Sequence, residues 1–124
     1  MSKRILIVED QGDNRAILRD LLTSVGYAYI EAVNGAEGVS AAERERPDLI
    51  LMDIQLPLVD GYEATLRIRA IPALEKIPII AVTSYALGGD EAKALAAGCN
   101  AYVTKPYSPR QLLAKIREFL GPES

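Results

Sequence analysis

Acidic, hydroxyl or cationic groups follow directly on apolar runs at four places in this 124-residue chain. Glu9 and Asp10 follow ILIV, Asp53 follows LILM, Thr83 and Ser84 follow IIAV, and Lys105 follows AYVT. Three carboxylates brought together repel, and one would be forced to take up a proton unless a cation sat among them. A hard divalent ion resolves this, and Mg2+ is commonly held by one or two carboxylates plus waters and a phosphate. Lys105 would add a mobile point charge suited to a phosphoryl oxygen, and Thr83 a hydroxyl donor. In that company Asp53 is a nucleophile whose product is an acyl phosphate. The chemistry is phosphoryl transfer.

Each group also has a plainer reading. An acidic pair after a strand is ordinarily a solvated loop or a helix cap, and Asp53 alone is as well read as a cap as a site. A Lys-Pro pair is ordinarily a turn, and Thr83 could be β-branched strand filler. What favours the chemistry is joint occurrence, which requires elements that bring the groups to one place.

Those elements are legible. Apolar or β-branched runs cover Ile5 to Val8, Tyr27 to Ala32, Leu49 to Met52, Ile77 to Val82 and Ala101 to Thr104. Helical patterns lie between them. Leu18, Leu21, Leu22 and Val25 make one apolar face, and Leu112, Leu113, Ile116, Phe119 and Leu120 make another. Ser108, Pro109 and Gln111 offer an N-cap, a proline at N1 and a glutamine at N3. Asn34 with Glu37 and Asp60 with Glu63 have similar spacing, while Gly26 and Gly98 suit helix C-termini. The second helix, roughly Ala36 to Arg46, has a thin apolar face. Five βα units without a linker or repeat predict an α/β fold, a parallel sheet covered on both faces. Ligands of such sheets bind beyond the carboxyl ends of the strands, where all these groups fall.

The segments ILIVED, DLILMDIQLPLVDGYEA, IPIIAVTSYA and GCNAYVTKP together resemble the receiver domain of two-component response regulators. The resemblance spans essentially residues 1–124 as one receiver domain, and is greatest to stand-alone receivers of the DivK type. It implies a flavodoxin-like, doubly wound five-stranded sheet in the order 2-1-3-4-5. It implies that Asp53 accepts a phosphoryl group from a partner's phosphohistidine. Glu9, Asp10, Asp53 and the backbone carbonyl of Gln55 would then hold Mg2+. Lys105 would contact the phosphoryl group, Thr83 would be the switch hydroxyl and Tyr102 the switch aromatic. The Lys105-Pro106 bond is commonly cis in the family. Two departures are small: Ser84 stands where alanine is commonest, and Gln11-Gly12 loosens the loop after the acidic pair. Gln55 and Tyr85 flank the site and would tune water access.

Composition bounds the alternatives. Histidine is absent, which excludes Ser-His-Asp and Cys-His catalysis, histidine-ligated metals and a phosphohistidine on this chain. A net charge of −3 without a basic block argues against nucleic acid as a direct ligand. The single cysteine, Cys99, excludes an internal disulfide and reads as a small buried residue in a reducing compartment. No signal-peptide pattern opens the chain and no apolar run approaches about 18 residues, so a cytoplasmic, membrane-free protein is expected. The chain ends at Ser124 after the last helix, so the first expectation is a single-domain switch. It would work with a histidine kinase or phosphotransfer protein and a downstream protein partner. A second is a receiver cut from a longer transcription factor or hybrid kinase. A third, a metal-dependent phosphoester hydrolase, is weakened by Gln55, which stands where a D-x-D pattern needs a second acid.

Overall fold

Alternating apolar residues in the strands have two faces to cover, and the helices supply both covers. The computed structural model describes residues 2–84 and 90–121. Among them the order is β1 (Arg4–Val8), α1 (Gly12–Ser24), β2 (Ala28–Ala32), α2 (Gly35–Glu45) and β3 (Leu49–Asp53). There follow α3 (Gly61–Arg69), a 3-10 turn (Pro72–Leu74), β4 (Ile79–Thr83), α4 (Asp90–Ala97), β5 (Ala101–Thr104) and α5 (Pro109–Leu120). The strands form one parallel sheet in the order β2-β1-β3-β4-β5, the expected flavodoxin-like arrangement.

Successive strand residues serve opposite cores, as the two-residue period demands. Ile5, Ile7, Leu49 and Leu51 pack with Leu18 and Leu22 of α1 and Leu112, Leu113 and Ile116 of α5. Leu6, Val8, Ile50 and Met52 pack instead with Ala41 and Ala42 of α2, Ala64 and Ile68 of α3 and Ala94 of α4. That double burial is why the strands read as unbroken apolar runs. Cys99 is buried in the second of these cores.

The thin face of α2 has a steric explanation. Its buried residues are Gly35, Gly38, Ala41 and Ala42. A Cβ on Gly38 would sit 2.9 Å from a methyl of Val8. The helix lies too close to β1 for large side chains, so close approach replaces bulk.

Capping follows the predicted pattern. Asn34 Oδ1 accepts from the amide of Glu37 at 2.7 Å, Asp60 Oδ1 from Glu63 at 2.9 Å, and Ser108 Oγ from Gln111 at 3.0 Å. Gly26 and Gly98 follow α1 and α4 at positive φ, 92° and 113°. Boundaries differ by a residue or two. Helix α2 runs one residue earlier than expected because Arg46 takes a left-handed cap conformation at φ 47°. Strand β4 starts at Ile79 rather than Ile77, since the preceding segment pairs only through the carbonyl of Pro78, which accepts from Ile50 N at 2.9 Å. Tyr27 is buried but stands just outside β2.

Candidate functional site

Parallel strands all end on the same edge, so the groups that follow them converge without any special loop. Glu9 extends β1, its amide donating to Ala32 O at 3.1 Å. Asp53 is the last residue of β3 and Thr83 the last of β4. Lys105 follows β5, with its amide donating to Thr83 O at 2.7 Å. Glu9, Asp53 and Thr83 are buried, while Asp10 is half-buried. Gly61 lets α3 begin directly behind Asp53, because a Cβ there would strike the carbonyl oxygen of Asp53 and the backbone of Ile54.

The side chains form a charged network. Lys105 Nζ lies 2.9 Å from Glu9 Oε1 and 3.3 Å from Asp53 Oδ2. The remaining oxygens accept backbone amides, Glu9 Oε2 from Gln11 and Asp53 Oδ1 from Gln55, both at 3.0 Å. Burial raises the pKa of Asp53, the charge of Glu9 raises it further, and Lys105 offsets this only in part, leaving it at about 6. Burial also pushes Glu9 upward, but the Gln11 amide and Lys105 outweigh it and hold Glu9 below the usual carboxylate range. Lys105 is raised, because its two carboxylate partners outweigh the cost of its burial.

One carboxylate oxygen from each of Glu9, Asp10 and Asp53 lies within 4.8 Å of the others. Three carboxylates against one ammonium leave two negative charges uncompensated when all are ionised. An all-oxygen donor set with that surplus suits a hard divalent cation, so these residues fit magnesium. Open grooves flank the cluster on both sides. One, of about 600 Å³, is lined by Asp10, Gln55, Pro57, Tyr62 and Lys93. The other, of about 400 Å³, is lined by Glu9, Ile17, Lys105 and Tyr107.

Residues 5–117 match the response regulator receiver domain family. The chain is a response regulator receiver domain. It is 45% identical to the polar-differentiation response regulator DivK of Brucella anthropi, over 98% of each chain. It also resembles the receiver domain of a Pseudomonas aeruginosa sensor histidine kinase, solved with a magnesium ion coordinated in the active-site cleft. That likeness has a TM-score of 0.91 and 40% identity over 98% of this chain and 99% of the other. A third likeness, TM-score 0.89 and 36% identity, covers 95% of this chain and 88% of the receiver domain of a Saccharomyces cerevisiae response regulator. That receiver was co-crystallised with its upstream histidine phosphotransfer protein.

Within this receiver domain the predicted site residues fall in two groups. Glu9, Asp10, Asp53 and Lys105 form the cluster just described. Thr83 and Tyr102 stand to one side on neighbouring strands, where Thr83 pairs with Thr104 and Ala81 with Tyr102. Paired positions share a face, so the Thr83 and Tyr102 side chains are diagonal neighbours. The Lys105-Pro106 peptide is cis. Tyr85 lies outside the described residues. The partners of the Gln55 side chain were missed: beyond its backbone carbonyl, Gln55 was expected only to flank the site and tune water access. Its Nε2 donates to Thr83 Oγ1, and its Oε1 accepts from Ser84 N at 2.8 Å. A glutamine two residues past Asp53 carries no sequence signal of that choice, because solvent is an equally good partner for an amide.

Proposed function

We propose that Asp53 accepts a phosphoryl group from the phosphohistidine of a histidine kinase or phosphotransfer protein, and that the protein signals through a phosphorylation-switched protein-binding surface. The observation that carries this reading is Lys105, whose ammonium reaches both Glu9 and Asp53 inside a carboxylate cluster. In transfer, an Asp53 oxygen attacks phosphorus and the phosphorus–nitrogen bond breaks, releasing the partner's imidazole. Glu9, Asp10, Asp53 and the Gln55 carbonyl would hold Mg2+, which supplies charge neutralisation at the transferring phosphoryl oxygens. Lys105 would trade its Asp53 contact for a phosphoryl oxygen. Ile17, 58% exposed beside the groove that Glu9 and Lys105 line, supports a protein rather than a small molecule as donor.

Phosphorylation adds nearly two negative charges at the end of β3. Thr83 would then move toward the phosphoryl group, and the ring of Tyr102 would fill the space it leaves. That repacking converts a local charge into a new surface. The chemistry is confined to the protein's own phosphorylation and dephosphorylation. Residues 1–124 act as one receiver domain in the cytoplasm. Among the described residues, no helix is long and apolar enough to cross a membrane. The likeness to a sensor-kinase receiver keeps a second reading, a receiver within a longer hybrid kinase, and the length of the native reading frame separates the two.

The test is Asp53→Asn with acetyl phosphate and Mg2+. Acid-labile, hydroxylamine-sensitive labelling should be abolished. Labelling at the wild-type level would show that another residue is the nucleophile.

A further inference from the structure

Gln55 sits at three junctions at once. Its backbone amide donates to the acceptor carboxylate, at 3.0 Å from Asp53 Oδ1. Its carboxamide crosses to the end of β4, where the nitrogen donates to the Thr83 hydroxyl and the oxygen accepts from the Ser84 amide at 2.8 Å. Both ends of the amide are therefore used on one partner strand. Thr83 is fully buried and its hydroxyl oxygen faces this amide in the resting chain.

We infer that the Gln55 side chain is a resting-state clasp that holds the end of β4 back from Asp53 and so sets how readily the domain switches. This rests on the phosphoacceptor reading of Asp53. Turning the Thr83 hydroxyl toward a phosphoryl group on Asp53 would take it out of its resting geometry with Gln55 Nε2. The bond to the Ser84 amide opposes the carboxamide's following the hydroxyl alone. An interaction made in one state and lost in the other shifts the equilibrium by its own free energy. The clasp therefore opposes activation, and any ligand of the active state binds more weakly by the fraction of molecules unclasped. The Gln55 side chain has a positioning role: it acts on the phosphoryl group only through Thr83.

Beryllofluoride with Mg2+, titrated against the full chain and followed by 19F NMR, reads that equilibrium. Gln55→Met keeps the length and the backbone carbonyl but removes both amide bonds. Its half-saturating beryllofluoride concentration should fall about three- to tenfold below wild type. Hydrogen exchange at the Ser84 amide should quicken in the same variant. In a Thr83→Ala background the carboxamide keeps its bond to the Ser84 amide but has no hydroxyl to withhold from the phosphoryl group, so adding Gln55→Met should change half-saturation by less than about twofold. A glutamine that merely props the loop would instead weaken uptake in both backgrounds. Uptake equal in wild type and Gln55→Met, or a shift of the same size with and without Thr83, would overturn the clasp and leave Asp53 as acceptor. A wild-type chain that takes up no beryllofluoride would overturn the Asp53 reading and the clasp with it.

Discussion

The two edges of the sheet handle charge in opposite ways. At the edge where strands begin, Arg69 and Arg4 are matched to acceptors. Arg69 donates to Gly98 O at 2.9 Å, to Leu74 O at 3.0 Å, to Glu75 O at 3.1 Å and to Asn100 Oδ1 at 2.7 Å. Asn100 passes the connection on, since the same oxygen accepts from Ile79 N at 2.9 Å. Asp48 Oδ2 likewise accepts the amide of Arg4 at 2.8 Å. At the edge where strands end, three carboxylates crowd one ammonium and Asp53 is driven to about 6. The first arrangement joins α3, β4 and β5. The second destabilises the resting chain locally, and is relieved by a cation or a proton. Stored electrostatic strain of this kind marks functional sites more often than structural ones.

The comparison breaks most visibly at Arg69. Arg69→Met should destabilise the protein by about 3 kcal/mol, because two partly buried carbonyls, those of Gly98 and Leu74, lose a charged donor together. Urea unfolding measures this, and a loss below about 1 kcal/mol would show that water replaces the guanidinium without cost.

At the other edge, Thr83→Ala should leave Asp53 competent while shrinking the switch. A charge-assisted hydrogen bond contributes about 1.5–3 kcal/mol, so the ratio of partner affinities with and without beryllofluoride should shrink by about one to two decades. An unchanged ratio would make Thr83 strand filler.

Asp53→Asn sharpens the contrast through pH. A carboxyl whose pKa is raised on folding binds more protons folded than unfolded between its two pKa values. Its stabilising contribution is therefore complete below the unfolded value and is lost as pH rises through about 6. Without metal, Asp53→Asn should be more stable than wild type at pH 7 by about 2 kcal/mol and nearly equal at pH 4. Glu9 is held below its usual range and runs the other way, so the difference between the two proteins is what should be followed. Urea midpoints in EDTA across that range give it, and Mg2+ should close the gap by stabilising only the wild type.

The smallest effect on stability is at Asp10, which is only half-buried. Asp10→Ala should weaken Mg2+ binding by more than about tenfold while shifting metal-free stability by no more than about 0.5 kcal/mol. Because tryptophan is absent, tyrosine signals or NMR must report the titration. A large loss of metal-free stability would mean that Asp10 belongs with the structural charges of the opposite edge.

What the sequence determined by itself was whatever depends on near neighbours. Strand alternation, the Asn34, Asp60 and Ser108 caps, the prolines and the helix-ending glycines all act within a few residues. For that reason the five βα units, and the acids and lysine that end the strands, could be read from composition and spacing alone. Tertiary structure decided everything that needed a distance across the chain. Glu9 and Lys105 are 96 positions apart, and only the strand order brings an ammonium within reach of two carboxylates. It likewise decided that α2 could dispense with large residues, since only the approach of Gly38 to Val8 shows why. Most of all it decided the side chain of Gln55. An amide has no intrinsic preference between water and a buried hydroxyl, and only the nearness of the β3 and β4 ends turns it toward Thr83 and Ser84.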